Sequence, residues 1–246
     1  MTKKYRQRGR IRPFLLCVGI PLLILCGLAL LLWAAQTSAE PDRSPVTDAP
    51  PSGPVIPNTI DLGQGLSVTE MISAAGVFPE DGKNTVLPDM FCITVKNSSD
   101  KTLRLAHVKL TVNGEEYLFQ LSTLPAGASV RAYEIHQKAA PTDIKSFQSE
   151  CVFADFFDAE PSIPRNELEI SVTHKGIRVK NLTDKDIDRD ILIYYKSIQN
   201  DVYVGGITYR IRLSGLKAGD EATVYADHAA EAYTRVMFIE FIEYVE

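Results

Sequence analysis

The chain of 246 residues has few of the groups that usually carry chemistry. It holds four histidines, His107, His136, His174 and His228, and no two stand at the i, i+4 spacing that would make a metal-ligand pair on one helix face. His228-Ala-Ala-Glu231 lacks a second histidine, and His174 sits beside Lys175-Gly176 in an expected turn. Surface or hydrogen-bonded positions are therefore the reading for all four. There is no Gly-x-Ser-x-Gly elbow, no phosphate-cradling Gly-rich loop and no Ser-x-x-Lys set with its partners. Residues 13–39 contain no charge, and residues 1–12 contain no acid. Six of the 26 basic residues lie in 1–12, which leaves 20 against all 31 acidic residues in the rest, a balance of −11. A globular part that acidic has no basic face for a phosphate backbone, so nucleic acid is excluded as a partner. No cofactor is implied.

What is present begins with a membrane signal. Phe14 to Ala35 is an uncharged run of 22 residues. As a helix it would reach about 33 Å, against a bilayer core of about 30 Å. The six preceding cations place the N-terminus in the cytoplasm. Trp33 falls at the outer end of the run, where an amphipathic ring favours the interface, and a kink at Pro21 is tolerated in a span. The expected organisation is a basic cytoplasmic tail at 1–12 and a transmembrane helix at 13–36 that makes the membrane itself a partner. The competing reading is a cleaved signal peptide ending at Thr37-Ser38-Ala39, but secretory apolar cores run only about 7–15 residues. Leu25 before Cys26 argues against a lipoprotein. A linker at 37–59 follows, with six prolines between Glu40 and Asn58, a composition that favours extended spacers.

The remainder repeats itself. Val95-Lys96-Asn97-Ser98-Ser99-Asp100-Lys101 matches Val179-Lys180-Asn181-Leu182-Thr183-Asp184-Lys185 at an offset of 84. Tyr117, Leu121, Ser122, Leu124, Ala126, Gly127 and Tyr133 match Tyr209, Leu213, Ser214, Leu216, Ala218, Gly219 and Tyr225 at an offset of 92. Phe153-Ala154-Asp155-Phe156 parallels Phe238-Ile239-Glu240-Phe241 at 85. The second copy thus has a longer middle connection, around Gln199 to Gly206. Tandem copies of one unit explain these matches.

Periodicity gives the class. Ile207, Tyr209, Ile211 and Leu213 alternate with Thr208, Arg210 and Arg212, the pattern of a half-buried strand. Val108, Leu110 and Val112 alternate likewise before Asn113-Gly114, a strong hairpin signal. Strands are expected at 91–97, 103–112, 115–124, 128–136 and 148–157, then at 168–174, 176–181, 190–198, 207–216, 221–227 and 234–245. Met71–Val77 and Ala229–Thr234 are candidates for short helices. The expected fold is all-β, with two tandem antiparallel β-sandwich domains at 60–162 and 163–246.

Each copy has a strand ending in Val-Lys-Asn, a Ser/Thr and Asp, a strand pair, then Leu-x-Ala-Gly before another strand. In this it resembles small immunoglobulin-like extracytoplasmic domains and the FxLYD domains, whose signals follow a similar order. The resemblance implies units that bind or space rather than catalyse.

Four smaller features carry alternatives. Asp184, Asp186, Asp188 and Asp190 have the spacing that opens a calcium loop, but Arg189 stands where that loop turns on Gly, and Tyr195 where it ends on Glu. A charged strand edge that discourages edge pairing is the reading taken. Cys92 and Cys151 have Gly176 and Val236 as counterparts, so both are absent together from the second copy; a strand-bridging disulfide is expected, and two buried thiols are the alternative. Asn97-Ser98-Ser99 and Asn181-Leu182-Thr183 match the glycosylation acceptor pattern, and equally a tight turn held by side-chain hydrogen bonds. Phe156 and Phe157 point to opposite faces of any strand, so at least one of them must leave its own core; it is expected to pack on the second copy, with an exposed patch for a partner as the alternative. Together these features predict a single-pass envelope protein whose extracytoplasmic part is a non-catalytic binding or assembly module for an envelope protein or polymer. The alternatives are a wall hydrolase drawing on Asp155 and Asp158, and a secreted soluble protein.

Overall fold

The structure, a computed structural model, describes residues 59–174, 176–226 and 228–242. The expected basic tail, membrane span 13–36 and linker up to residue 58 lie outside the described residues. Among the described residues there are thirteen strands and no helix. They are β1 (Ile60–Gly63), β2 (Leu66–Val77), β3 (Val86–Asn97), β4 (Leu103–Val112), β5 (Glu115–Leu124), β6 (Ser129–Tyr133) and β7 (Phe147–Phe156) in the first copy. The second holds β8 (Leu168–Thr173), β9 (Gly176–Asn181), β10 (Ile187–Gln199), β11 (Val202–Leu216), β12 (Glu221–Tyr225) and β13 (Thr234–Ile242). The protein is all-β.

Local chemistry sets the hairpins. Asn113 and Gly114 both take left-handed backbone (φ 52° and 85°), which matches the twist of the strands they join. Asn200 and Asp201 do the same between β10 and β11 (φ 49° and 63°). Met71–Val77 is strand rather than helix. Bulges at Val68/Glu70 and Ala74/Gly76 interrupt the period-2 pattern there, which disguised the strand. Met71 then points into the main core while its neighbour Ile72 points to the opposite face. Ala229–Thr234 is likewise not helical, and Thr234 opens β13.

The strands β2 to β7 and β8 to β13 correspond in order, and each set forms two facing layers. In the first copy, β5-β4-β7 faces β1-β2-β3-β6 around a core that includes Phe91, Ile93, Leu110, Phe119 and Leu121. In the second, β12-β9-β8 faces β11-β10-β13 around Ile177, Val179, Ile191 and Ile193. The copies are nevertheless not separate bodies. One seven-stranded sheet runs β1-β2-β3-β6-β11-β10-β13, because Ser129–Arg131 of β6 pairs in parallel with Val202–Val204 of β11. The boundary at 162/163 divides the repeats in sequence, but the described residues form one compact unit.

The longer middle connection of the second copy explains the fusion. The change of offset from 84 to 92 amounts to eight extra residues. They lengthen β10 and β11 into an extended hairpin whose outer edge completes the sheet of the first copy. Phe157 crosses the same junction, with its ring edge-on to Phe238 of β13 at 5.6 Å between centroids, while Phe156 stays in the first core. That is the division expected of adjacent aromatics at the end of a strand.

Candidate functional site

The extended hairpin creates a buried polar cluster where the copies meet. In the ladder between β10 and β11, Tyr195 pairs with Tyr209 and Ser197 with Val204, so Gly205 to Thr208 bulge opposite Lys196 alone. A bulge leaves backbone carbonyls without ladder partners. Lys196 answers them: its Nζ donates to the carbonyls of Gly206 (2.9 Å), Ile207 (2.9 Å) and, across the junction, Ser122 of β5 (3.0 Å). Three acceptors match the three N–H groups of an ammonium. The side chain is wholly buried, and burial lowers its pKa to about 7, with the carboxylate of Glu80 acting against the shift.

Glu80 comes from the loop after β2. Its Oε1 accepts the N–H of Gly206 at 2.5 Å. Burial raises its pKa, opposed by the Gly206 and Ile207 N–H groups and by Lys196. Thr208 Oγ1 donates to the Ser122 carbonyl, and the Tyr209 hydroxyl donates to the Pro79 carbonyl. His228 stacks on the Tyr209 ring at 4.5 Å. Gly206 is required by contact rather than by dihedral, because a Cβ there would lie 1.8 Å from the Gln120 carbonyl oxygen. The two copies meet here backbone against backbone. Every donor of Lys196 is engaged and the amine has no exposed surface, so the cluster works chemically as a cross-link between the copies and not as a nucleophile.

A second feature lies on the outer face of β5-β4-β7. A groove of about 240 Å³ is lined by His107, Val108, Leu118, Phe119, Gln120, Ile135 and Val152. Its rim is held by Glu134, a buried carboxylate that accepts the N–H groups of Leu118 (3.2 Å), His136 (2.8 Å) and Lys138 (3.0 Å). The Ile135 N–H donates to the Leu118 carbonyl, which clips the loop to the edge of β5. Ile135, Val152 and Phe153 are exposed, and Phe153 lies beside His107. Ile135 and Val152 belong to the groove lining, and Phe153 adds an exposed ring beside it.

The residues singled out from sequence are not brought together into one site. Asp186 Oδ1 caps the N–H of Ala218 at 2.8 Å, Asp190 pairs with Arg212, and Asp184 and Asp188 face solvent. Among the described residues no group of three His, Cys, Asp or Glu side chains is placed to hold a metal. Cys92 and Cys151 stand as separate thiols. Cys92 lies with Ile72, Phe78, Met90 and Tyr133 on the face of β3 turned away from the main core, whereas Cys151 packs against that core from β7. The bridge expected from their joint absence in the second copy is not formed, because alternation along β3 sends residue 92 to the wrong face. Burial raises the pKa of Cys151, which makes it a poor nucleophile at neutral pH. Asp155, a candidate for hydrolysis, is tied to Arg104.

Asn97 and Asn181 serve the turn. Both are fully buried, and Nδ2 donates to the carbonyls of Lys101, Leu124 and Pro125 in one copy and of Lys185, Leu216 and Lys217 in the other. Their Oδ1 atoms accept from Ser99 and Thr183 respectively. The acceptor-like pattern therefore codes an asparagine plug repeated in both copies.

Neither the Lys196 cluster nor the groove was apparent from residue patterns. The one available signal was Gly205-Gly206 inside an alternating strand, which marks a bulge or a close backbone approach. Comparison with protein families, with curated proteins and with solved structures finds no match to this chain.

Proposed function

We propose that the chain is a membrane-anchored, extracytoplasmic binding or assembly module of the cell envelope that works without catalysis. In this reading residues 13–36 span the membrane, 37–59 space the folded part from it, and two immunoglobulin-like β-sandwich units present a docking surface to an envelope protein or polymer. The observation that carries it is the apolar groove under Ile135 and Val152, framed by a loop that the buried Glu134 holds in place. The anchor and the acidic balance of the remainder support the location. Interlocked copies suit a part that must present a fixed surface, because a shared sheet leaves no hinge between them.

The test places a photo-crosslinking residue at Val152, and for comparison at Leu182, also exposed, in the second copy, in the full chain in its own cells. One envelope component is expected to crosslink at 152 and to be lost on Ile135→Asp. Equal yields at both positions, or no adduct at 152, would refute the groove as the binding surface.

A further inference from the structure

β6 and β12 are counterparts in the repeat, and only one of them has its outer edge covered. Both follow a glycine in left-handed backbone, Gly127 (φ 74°) and Gly219 (φ 73°), and both pair on one side with the strand ending in Val-Lys-Asn. On its other side β6 receives Val202–Val204 of the extended hairpin in parallel. Among the described residues β12 has no ladder partner except β9, and it ends its sheet. The equivalent tyrosines also differ in exposure. Tyr133 is 6% exposed, in a cluster against which Val204 packs, whereas Tyr225 is 62% exposed.

The open edge is also correctly presented. The Asp220 carbonyl accepts from Asn181 N–H, and the Val224 carbonyl lies so close to Gly176 that a Cβ there would be 2.1 Å from it. Even-numbered backbone groups therefore face β9. By the alternation of an antiparallel pair, those of Glu221, Thr223 and Tyr225 face outward.

We propose that the outer edge of β12 is an acceptor for an extended strand from another polypeptide, running parallel to Glu221–Tyr225 as β11 runs beside β6. The occupant is a strand of alternating β-branched and aromatic residues like Val202-Tyr203-Val204, borne on a lengthened hairpin. A second copy of this chain does not supply it. Its own Val202–Val204 is already paired with its own β6, and its β4–β5 hairpin turns at Asn113-Gly114 without the eight-residue extension. The molecule thus contains an example of the pairing at one edge, and among the described residues the equivalent edge has no strand beside it. Sheet extension of this kind draws affinity from main-chain hydrogen bonds and specificity from alternate side chains. The edge belongs to the second copy and the groove to the first, so this inference and the function proposed above fail independently.

The test uses the full chain in detergent and a cyclised hairpin peptide with the sequence of Tyr195–Tyr209 as probe, read by fluorescence anisotropy. Saturable binding with a Kd below about 1 mM is expected. Thr223→Pro removes an outward N–H without touching the ladder to β9, and Tyr225→Ser removes an exposed ring; each is expected to weaken binding at least about tenfold. Absence of saturable binding, or equal affinity for wild type and both variants, overturns the proposal. Tyr225→Ser alters only an exposed side chain, so its result stands even if Thr223→Pro disturbs folding.

Discussion

Replacing Lys196 by Met tests the claim that one buried amine joins the two copies. The substitution keeps a long apolar stem but removes three N–H donors from the carbonyls of Ser122, Gly206 and Ile207. It also removes the neighbouring Lys196 from the half-buried Glu80, whose pKa burial raises and Lys196 lowers. Each buried carbonyl left without a donor costs about 1–3 kcal/mol, so a loss of about 3–5 kcal/mol is expected for the set. For a domain of this size that corresponds to a fall in Tm of about 6–20 °C. Adding Glu80→Gln should recover part of the loss, since the charge stranded by the first change is then gone, and a double-mutant cycle measures that coupling.

The sign of the pH dependence follows from the same burial. The folded-state pKa of Lys196 lies near 7, below the 10.5 of an exposed lysine. Between those values the unfolded chain binds more protons than the folded one, so wild-type stability contributed by this group rises with pH across that window. The assay is urea denaturation of wild type, Lys196→Met and the double variant at pH 6, 7.5 and 9. The gap between wild type and Lys196→Met should widen with pH. A Met variant within about 0.5 kcal/mol of wild type at every pH would refute the cross-link, because that is the cost of an ordinary surface change.

Further outcomes are expected at the glycines and the asparagines. Gly206→Ala should cost about 3 kcal/mol in urea denaturation, since its Cβ would meet the Gln120 carbonyl at 1.8 Å with only backbone to give way. Gly114→Ala should cost about 1–2 kcal/mol, because only its left-handed backbone is strained and the space around it is open. Asn97→Ala and Asn181→Ala should each cost about 2–4 kcal/mol and agree with one another within about 1 kcal/mol, because each strands an equivalent set of buried carbonyls. In a glycosylating host, mass spectrometry of the intact protein should find Asn97 unmodified, as its side chain is fully buried.

The all-β class, the register of the turns and the duplication were legible because they are local or periodic. Alternation marked β4, β5 and β9 to the residue, and Asn113-Gly114 marked its hairpin. The geometry of adjacent strand residues required one of Phe156 and Phe157 to leave the first core, and the structure shows that it is Phe157. Bulges hid β2, since each one shifts the face of every later side chain. The spacing of Cys92 and Cys151 suggested a pairing that only the facing of β3 could decide.

The charge division, the apolar run and two copies of one strand order are properties of neighbours along the chain, and residue order alone sets them. That the copies form a single sheet is a matter of tertiary packing. Eight extra residues read in sequence as a longer loop, and they became the edge strand that completes the other copy. Lys196 looks ordinary in Tyr194-Tyr195-Lys196-Ser197, and it acquires a role only where a bulge in β11, a loop after β2 and a carbonyl of β5 converge on it. The physical reason is common to both. Backbone groups freed by an irregularity must find partners, and which partners come within reach is settled by packing between segments far apart in sequence.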